Sequence, residues 1–309
     1  MEPILLIRNS KSGLALGEQK IQKEIEEGIV SLTEYGFEVT TVSVEDILEK
    51  EMFDKKVKLL SPGTIIAVGG DGTVNLVANY LTGSSIRMAV IPAGTFNHFA
   101  KHIGIGTDIP QAFDAVMTGE TINIDTAEVN GRTFVNFSCI GFYTQIIKRR
   151  TAYQKKSWKK WPAFGMSLYE CMKEYSSYSF VIKKNDSEMK VRTPLIFVGN
   201  NIFDFGGLDV LSSRQDFTSG KLQLSIAKDM GRWRIFLLAF RSMFMDVKNQ
   251  LGFTTTAIDE IEIHANKSKV WVSLDGEVIK LQTPLRYKII PQSLRMIIPR
   301  TTVPSQHPL

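Results

Sequence analysis

The feature that most constrains the fold is an apolar strand that runs directly into a glycine-rich turn and a helix. The strand candidate is Ile65–Val68, the turn reads Gly69-Gly70-Asp71-Gly72-Thr73, and a helical stretch follows from Val74. Glycines let the backbone approach an anion closely, and the first amides of the helix point at the same place. A plain Asp-Gly tight turn is the alternative. Neither a Walker loop nor a G-x-G-x-x-G fingerprint occurs, so the pattern favours a phosphate cradle of another kind.

A second unit of the same kind follows at once. The strand Met88–Ile91 leads into Pro92-Ala93-Gly94-Thr95-Phe96-Asn97-His98. Two such turns at the same ends of neighbouring parallel strands would meet in one crevice, where open α/β sheets bind their ligands. The sequence therefore predicts that the two turns form one binding site.

The pattern of strand-like and helix-like stretches divides the chain into two parts. Strand-like and helix-like stretches alternate up to about residue 121, which is typical of a layered α/β domain with a parallel sheet. From residue 122 to 291 strand-like runs dominate, including Thr133–Ile140, Ala257–His264 and Leu285–Ile290. This spacing suits a β-sandwich. A length of 309 residues is enough for two such domains.

Composition excludes several classes of protein. The longest apolar run, Ile235–Phe240, is far too short to span a bilayer. The segment Met1–Ile7 resembles a first strand more than a secretion signal. Cys139 and Cys171 cannot form a disulfide framework or a zinc site by themselves, and we interpret them as small buried residues. We therefore expect a cytoplasmic protein.

The net charge of +5 is concentrated in one segment, residues 148–161, which contains no acid. Its basic residues are Lys148, Arg149, Arg150, Lys155, Lys156, Lys159 and Lys160. Tyr153, Trp158 and Trp161 are interleaved, and such aromatics favour a lipid headgroup interface. A solvated surface is the alternative, and no nucleic-acid-binding module accompanies the segment. Arg232-Trp233-Arg234, followed by Ile235–Phe240, is a second candidate contact.

Four motifs together resemble the diacylglycerol kinase catalytic family of bacterial lipid kinases. They are Asn9-Ser10-Lys11-Ser12-Gly13, the Gly-Gly-Asp-Gly-Thr-x-Asn run at 69–75, Pro-x-Gly-Thr-x-Asn at 92–97, and Asp275-Gly276-Glu277. The resemblance implies a nucleotide-binding α/β domain at 1–121 and a lipid-presenting β-sandwich at 122–291. It also implies that residues 292–309 return to the first domain. Related folds include the NAD kinases.

The resemblance assigns a role to each motif. ATP would be bound by Asn9, Ser10, Lys11, Ser12, Gly13, Gly69, Gly70, Asp71, Gly72, Thr73, Asn75, Gly94, Thr95 and Asn97. Asp71 would organise the magnesium-bound triphosphate. Glu277 matches the general base that takes the proton from the lipid hydroxyl, with Asp275 beside it. A base suits this chemistry because an alcohol is a poor nucleophile at neutral pH. Without the other motifs, Asp275-Gly276 would be interpreted as a hairpin turn.

The chain departs from the family pattern at three places. Leu76 and His98 stand where many members carry acids, and Ser219-Gly220 replaces an Asp-Gly pair of a structural magnesium site. Asp216 is the remaining local carboxylate for that site. His98 and His102 have metal-ligand spacing but lack a third ligand, so we interpret them as a crevice histidine and a surface histidine.

These observations predict an ATP- and magnesium-dependent lipid kinase at the inner face of the membrane, with diacylglycerol as the first candidate acceptor. Two alternatives are an NAD kinase-like enzyme for small molecules and a catalytically weakened ATP- or lipid-binding protein. Leu76 argues against the first. The presence of Asp71, Thr73, Asp275 and Glu277 argues against the second. The acceptor lipid and homodimerisation stay open.

Overall fold

The chain divides into two compact units in this computed structural model. Described are residues 2–9, 18–94, 97–155, 160–173, 177–184, 187–201, 217–229, 231 and 253–300. Unit 1 comprises Met1–Ile124 and Gln292–Leu309, and unit 2 comprises Asp125–Pro291. Every helix in the described ranges is too short or too polar to cross a lipid bilayer.

Unit 1 alternates strands and helices around a parallel sheet. Its elements are β1 (Glu2–Arg8), α1 (Glu18–Glu34), β2 (Phe37–Ser43), α2 (Lys50–Leu60), β3 (Thr64–Gly69), α3 (Asp71–Leu81), β4 (Arg87–Pro92), α4 (His98–His102) and α5 (Ile109–Thr118), with a 3-10 turn at Val44–Ile47. The strand order is β2-β1-β3-β4, and every pair in it is parallel. The predicted layered α/β fold is confirmed.

Apolar runs and helix caps explain these elements. All six residues of β3 are buried, as expected of a central parallel strand covered on both faces. Asp108 precedes α5, and its side chain accepts a hydrogen bond from the backbone N–H of Gln111. Such a cap satisfies one of the amides that a helix start leaves without an intrahelical partner.

Unit 2 is dominated by antiparallel strands, as predicted. Its elements are β5 (Glu120–Val129), β6 (Arg132–Phe134), β7 (Phe137–Gly141), α6 (Phe142–Lys155), α7 (Lys160–Lys173), β8 (Tyr178–Lys184), β9 (Ser187–Thr193), β10 (Leu195–Asn200), β11 (Leu222–Ala227), β12 (Phe253–Ile258), β13 (Glu260–Ala265), β14 (Lys269–Leu274), β15 (Glu277–Gln282) and β16 (Leu285–Ile298). Strands β5 and β16 each cross the division between the units.

Two antiparallel layers enclose the core of unit 2. One is a six-stranded sheet in the order β12-β11-β10-β7-β14-β15. In the other, β9 pairs with β8, β8 with β13, and β13 with β16, while β5 pairs with β6 and β16. One apolar cluster includes Ile196 and Leu224 of the first layer and Phe180 and Tyr287 of the second. This cluster is the interior of a sandwich.

Two predicted strands are wrong because each is divided between sheets. The run at 133–140 ends as β6 and resumes as β7 in the other sheet, and the run at 257–264 divides at Asp259 into β12 and β13. Strands that change sheets make the corners of sandwiches. The predicted strand at 285–290 continues to Ile298, and Met296 pairs in parallel with Met88 of β4.

The helical hairpin formed by α6 and α7 was not predicted. Its contact cluster includes Phe142 and Ile146 from α6 and Leu168, Cys171 and Met172 from α7. The spacing of the α7 residues is helical, because residues three and four positions apart share a face. Both cysteines are buried, as expected.

Candidate functional site

The first glycine turn joins the end of β3 to the start of α3. A Cβ atom at Gly69 would lie 2.6 Å from Oγ1 of Thr73, which is closer than real contacts allow. Gly70 precedes the helix in an extended conformation, and its carbonyl accepts hydrogen bonds from the N–H groups of Thr73 and Val74. A side chain at position 69 would clash with the buried Thr73, so this tight turn requires glycine.

The second glycine turn contacts the first. A Cβ atom at Gly94 would lie 2.3 Å from the Cα of Gly70. Register explains the contact, because Gly69 at the end of β3 pairs with Pro92 at the end of β4. The described residues therefore bring the two predicted turns together at one edge of the parallel sheet, where the amides of α3 begin.

Asp71 links the two turns. Its Oδ1 accepts a hydrogen bond of 3.2 Å from the backbone N–H of Phe99, in the first turn of α4. Asp71 is partly exposed and is the first residue of α3. Its carboxylate thus combines an anchored oxygen with access to solvent.

Asn97 and Asn75 have local partners. The Asn97 side chain accepts from the N–H of Gly94 at 2.9 Å and donates to the carbonyl oxygens of Pro92 and Gly94. Asn97 lies in the left-handed region, with φ of +51°. The buried Asn75 accepts from the side-chain amide of Asn79. These contacts make Asn97 the residue that shapes the second turn.

Other predicted ATP residues are only partly described. Asn9 directly follows β1, and its N–H donates to the carbonyl of Val68 at 3.3 Å. Ser10, Lys11, Ser12, Gly13 and Thr95 lie outside the described residues. His98 begins α4, and its side chain lies outside the described part. Leu76 lies within α3 and is partly exposed.

Asp275 and Gly276 form the tight turn of the β14–β15 hairpin. Their φ angles are +47° and +89°, and Leu274 pairs with Glu277 across the hairpin. Asp and Gly tolerate the left-handed region, which two-residue hairpin turns require. Glu277 is the first residue of β15 and is exposed.

The Asp275 carboxylate binds the backbone before β7. It accepts hydrogen bonds from the N–H groups of Val135 (2.8 Å), Asn136 (2.9 Å) and Phe137 (2.8 Å), while the Asp275 N–H donates to the Phe137 carbonyl. Burial, and secondarily the charge of Asp275, raises the pKa of the nearby Cys139 thiol. Cys139 is therefore held as an inert neutral thiol.

The predicted structural magnesium region contains an unpredicted carboxylate. Asp125, fully buried in β5, accepts from the N–H of Gly220 at 2.7 Å and donates its own N–H to the Phe217 carbonyl. Ser219 donates to Oδ1 of Asn201. Asp216 lies outside the described residues. Asp125 was not indicated by the sequence, because β5 contains other polar and charged residues such as Asn123 and Glu128.

The described ranges contain no group of three or more His, Cys, Asp or Glu side chains that could hold a metal ion. A magnesium ion carried by nucleotide phosphates has a smaller requirement, because it typically takes one or two carboxylates and keeps several waters. Asp71 can meet this requirement at the glycine turns.

A groove of about 760 Å³ lies in unit 2. Charged side chains of β8, β13 and β16 dominate its lining, including Lys184, Glu262 and Arg286. Arg286 Nε donates a hydrogen bond to Glu262, and this contact lowers the pKa of the Glu262 carboxyl. The groove includes no predicted site residue in its lining.

The basic segment lies in the α6–α7 hairpin. Arg149 contacts Glu170 at 2.8 Å, and the Tyr153 hydroxyl also donates to Glu170. The Lys148 ammonium lies 4.0 Å from the centre of the Trp271 ring. Residues 156–159 and the Trp161 side chain lie outside the described part, as does the second candidate contact at 232–240.

The fold and the paired glycine turns define a class: two-domain proteins with a parallel α/β unit and an antiparallel sandwich, as in diacylglycerol and NAD kinases. A crystal structure of a diacylglycerol kinase from Bacillus anthracis str. Sterne is similar, with a TM-score of 0.70. Its identity is 21%, and the match covers 96% of each chain. The predicted two-domain fold is confirmed by this likeness.

Sequence comparison finds a family match over the first part of the chain. Residues 3–129 match the diacylglycerol kinase catalytic domain. The chain is 26% identical over 185 residues to diacylglycerol kinases of Staphylococcus aureus strains bovine RF122 / ET3-1 and MRSA252. The match spans 59% of this chain and 58% of each relative. The predicted resemblance to the diacylglycerol kinase catalytic family is confirmed over these matched residues.

Proposed function

We propose that this protein is a lipid kinase that transfers the γ-phosphate of ATP to a hydroxyl of a membrane lipid, with diacylglycerol as the first candidate. The observation that carries the proposal is the contact between the two glycine turns in a chain that matches this family over residues 3–129. The turns and the start of α3 offer closely packed backbone and helix amides to a phosphate chain. NAD kinase-like activity has no specific observation in its favour.

In this proposal, unit 1 binds the nucleotide. We propose that Gly69–Thr73 and Gly94 cradle the phosphates, that Asn97 holds the second turn in shape, and that Asp71 binds the nucleotide-bound magnesium. When present, the metal neutralises phosphate charge. Asn9, Asn75, Thr95 and the segment Ser10–Gly13 stay predicted nucleotide contacts.

In this proposal, the β14–β15 hairpin of unit 2 activates the hydroxyl of the acceptor lipid. Glu277 is exposed, so its carboxylate is accessible to a lipid hydroxyl, and we propose it as the general base. The three amides bound by Asp275 favour a different task for that residue. Asp275 fixes the hairpin turn that carries Glu277, which makes it a positioning residue.

Work at a lipid surface requires a peripheral membrane contact. We propose that the basic segment 148–161 supplies the attraction to anionic lipids, at the cytoplasmic face of the membrane. The assignment of unit 2 to lipid presentation is part of the same proposal. Homodimerisation and the structural magnesium ion at Asp216 stay predictions.

The test is transfer of labelled γ-phosphate from ATP and magnesium to lipids in mixed micelles. The panel comprises diacylglycerol, monoacylglycerol, sphingosine, ceramide and phosphatidylglycerol, and NAD is included. We expect labelled phosphatidic acid from diacylglycerol, and its loss in Glu277→Ala. Removing a general base costs about 10²- to 10⁴-fold in rate.

A matched control is Glu260→Ala, because Glu260 is another exposed glutamate at the start of a strand of unit 2. It should leave the rate unchanged. Labelled NAD without any labelled lipid would instead support the NAD kinase-like alternative. Absence of product from every acceptor would contradict the proposal.

A further inference from the structure

The outer face of α7 carries an unusual set of exposed residues. They are Pro162, Gly165, Met166, Tyr169 and Lys173. On a helix with 3.6 residues per turn these positions lie within one stripe, about 16 Å long at 1.5 Å per residue. The opposite face, which includes Ala163, Ser167, Leu168 and Cys171, is buried. The helix α7 therefore carries apolar residues on its buried face and also on its exposed face.

Two large side chains of this stripe are exposed. Tyr169 is 54% exposed and Met166 is 37% exposed. The Lys173 ammonium lies 4.4 Å from the centre of the Tyr169 ring, so a cation stands directly beside the exposed aromatic ring. An aromatic ring with an adjacent lysine suits the headgroup level of a bilayer.

The charge of the hairpin indicates what covers this face. Residues 142–173 contain eight basic residues, namely Lys148, Arg149, Arg150, Lys155, Lys156, Lys159, Lys160 and Lys173. The single acid in this range is Glu170. Its carboxylate contacts Arg149 and Tyr153, which lowers its pKa, and it therefore stays ionised and paired. The face of α7 thus presents apolar groups in a field that is positive overall.

We infer that the outer face of α7 is inserted into the headgroup region of an anionic bilayer, with Met166 and Tyr169 as the inserted side chains. Interfacial helices combine an inserted apolar face with attraction to anionic lipids. A nucleic acid would match the charge but would leave Met166 without an apolar partner. The inference rests on the proposed function, because a kinase for a membrane lipid must dock on the membrane.

This surface differs from the basic segment that the sequence indicated. Residues 148–161 supply long-range attraction, which salt screens. Met166 and Tyr169, one to two turns further along the chain, supply short-range apolar contact, which salt does not weaken. The two contributions can therefore be separated by experiment.

The test is cosedimentation of the full chain with vesicles of phosphatidylglycerol and phosphatidylcholine (1:1), without ATP. We expect Met166→Glu/Tyr169→Glu to reduce vesicle binding roughly tenfold or more, because it removes two inserted groups and adds two negative charges. The matched control is Met52→Glu/Leu59→Glu on α2 of unit 1. Met52 and Leu59 are 46% and 78% exposed, so the control likewise replaces two exposed side chains by glutamate, and we expect wild-type binding.

A second measurement reports insertion directly. An environment-sensitive dye on Met166→Cys should gain fluorescence with anionic vesicles, whereas the same dye on Met52→Cys should not. Selective labelling is feasible because both native cysteines are buried. This readout does not depend on removing an apolar side chain, so a folding defect of the double variant cannot mimic it.

Kinase assays separate this inference from the proposed function. Met166→Glu/Tyr169→Glu should retain activity on a dispersed short-chain diacylglycerol and lose it on vesicles. Vesicle binding that depends on Met166 and Tyr169, in a protein without kinase activity, would support the docking face and contradict the proposed function. Wild-type vesicle binding by the double variant, or equal dye responses at positions 166 and 52, would overturn the docking face.

Discussion

At the scale of single residues, Asp275 shows how one carboxylate can organise a site without reacting. It accepts three backbone N–H groups from residues 135–137, which lie about 140 positions earlier in the chain. Hydrogen bonds to a charged acceptor are stronger than neutral ones. The turn before Glu277 is therefore fixed to the start of β7.

Replacement of Asp275 by alanine should destabilise the protein. The change leaves three partly buried amides without their acceptor, and we expect the free energy of unfolding to fall by about 3 kcal/mol. Urea unfolding measures this loss. Asp259→Ala is the control, because Asp259 forms a surface ion pair with Lys221 that is typically worth less than about 1 kcal/mol. Equal losses in the two variants would contradict the role of Asp275.

At the scale of elements, the site of unit 1 depends on the contact between two strand–turn–helix units. Register brings the ends of β3 and β4 side by side, and Gly70 and Gly94 make the closest contact between their turns. Asp71 and Asn97 then fix the turns through hydrogen bonds to Phe99 and Gly94. The turns therefore form one rigid feature.

Gly94→Ala should separate the two turns. Its Cβ would lie 2.3 Å from backbone at Gly70, so backbone must move, and we expect a loss of about 2 kcal/mol in the free energy of unfolding. Binding of ATP should weaken in parallel, as measured by calorimetry. Gly72→Ala is the stability control, because a Cβ at Gly72 meets nothing within 4 Å and alanine favours a helix. Equal stability of Gly94→Ala and wild type would refute this packing argument.

At the scale of the whole molecule, ionised carboxylates paired with cations shape the response to acid. Arg286 hydrogen-bonds Glu262, and Tyr153 and Arg149 hydrogen-bond Glu170; both carboxyl pKa values are lowered. A lowered pKa in the folded state adds stability above the unfolded pKa of about 4.3. That stability is lost as pH falls through the folded value.

Glu262→Gln should therefore change how the free energy of unfolding depends on pH under acid conditions. The variant should be less stable than wild type at pH 7, and the difference should shrink between about pH 5 and pH 3. Urea unfolding across this range measures it. Glu188→Gln, in an exposed pair with Lys183, is the control and should show little difference at any pH. A constant difference for Glu262→Gln would contradict the linkage.

The sequence by itself determined the class of fold, the resemblance to a family and the local form of the motifs. Apolar strands before Gly69 and Pro92 predicted the parallel sheet and its turns because these patterns are local. For the same reason, Asp275-Gly276 offered a hairpin turn as the alternative interpretation, and the structure contains that turn. Residues 148–161 identified the basic segment because charge is read directly from composition.

Only the tertiary structure decided which distant residues these motifs contact. The sequence could not reveal that Asp275 binds the amides of residues 135–137, or that the buried Asp125 holds the turn at Gly220. It also did not show that the strand runs at 133–140 and 257–264 divide between sheets, or that α7 exposes Met166 and Tyr169. Each depends on register and packing between segments far apart in the chain, whereas residue patterns encode local preferences.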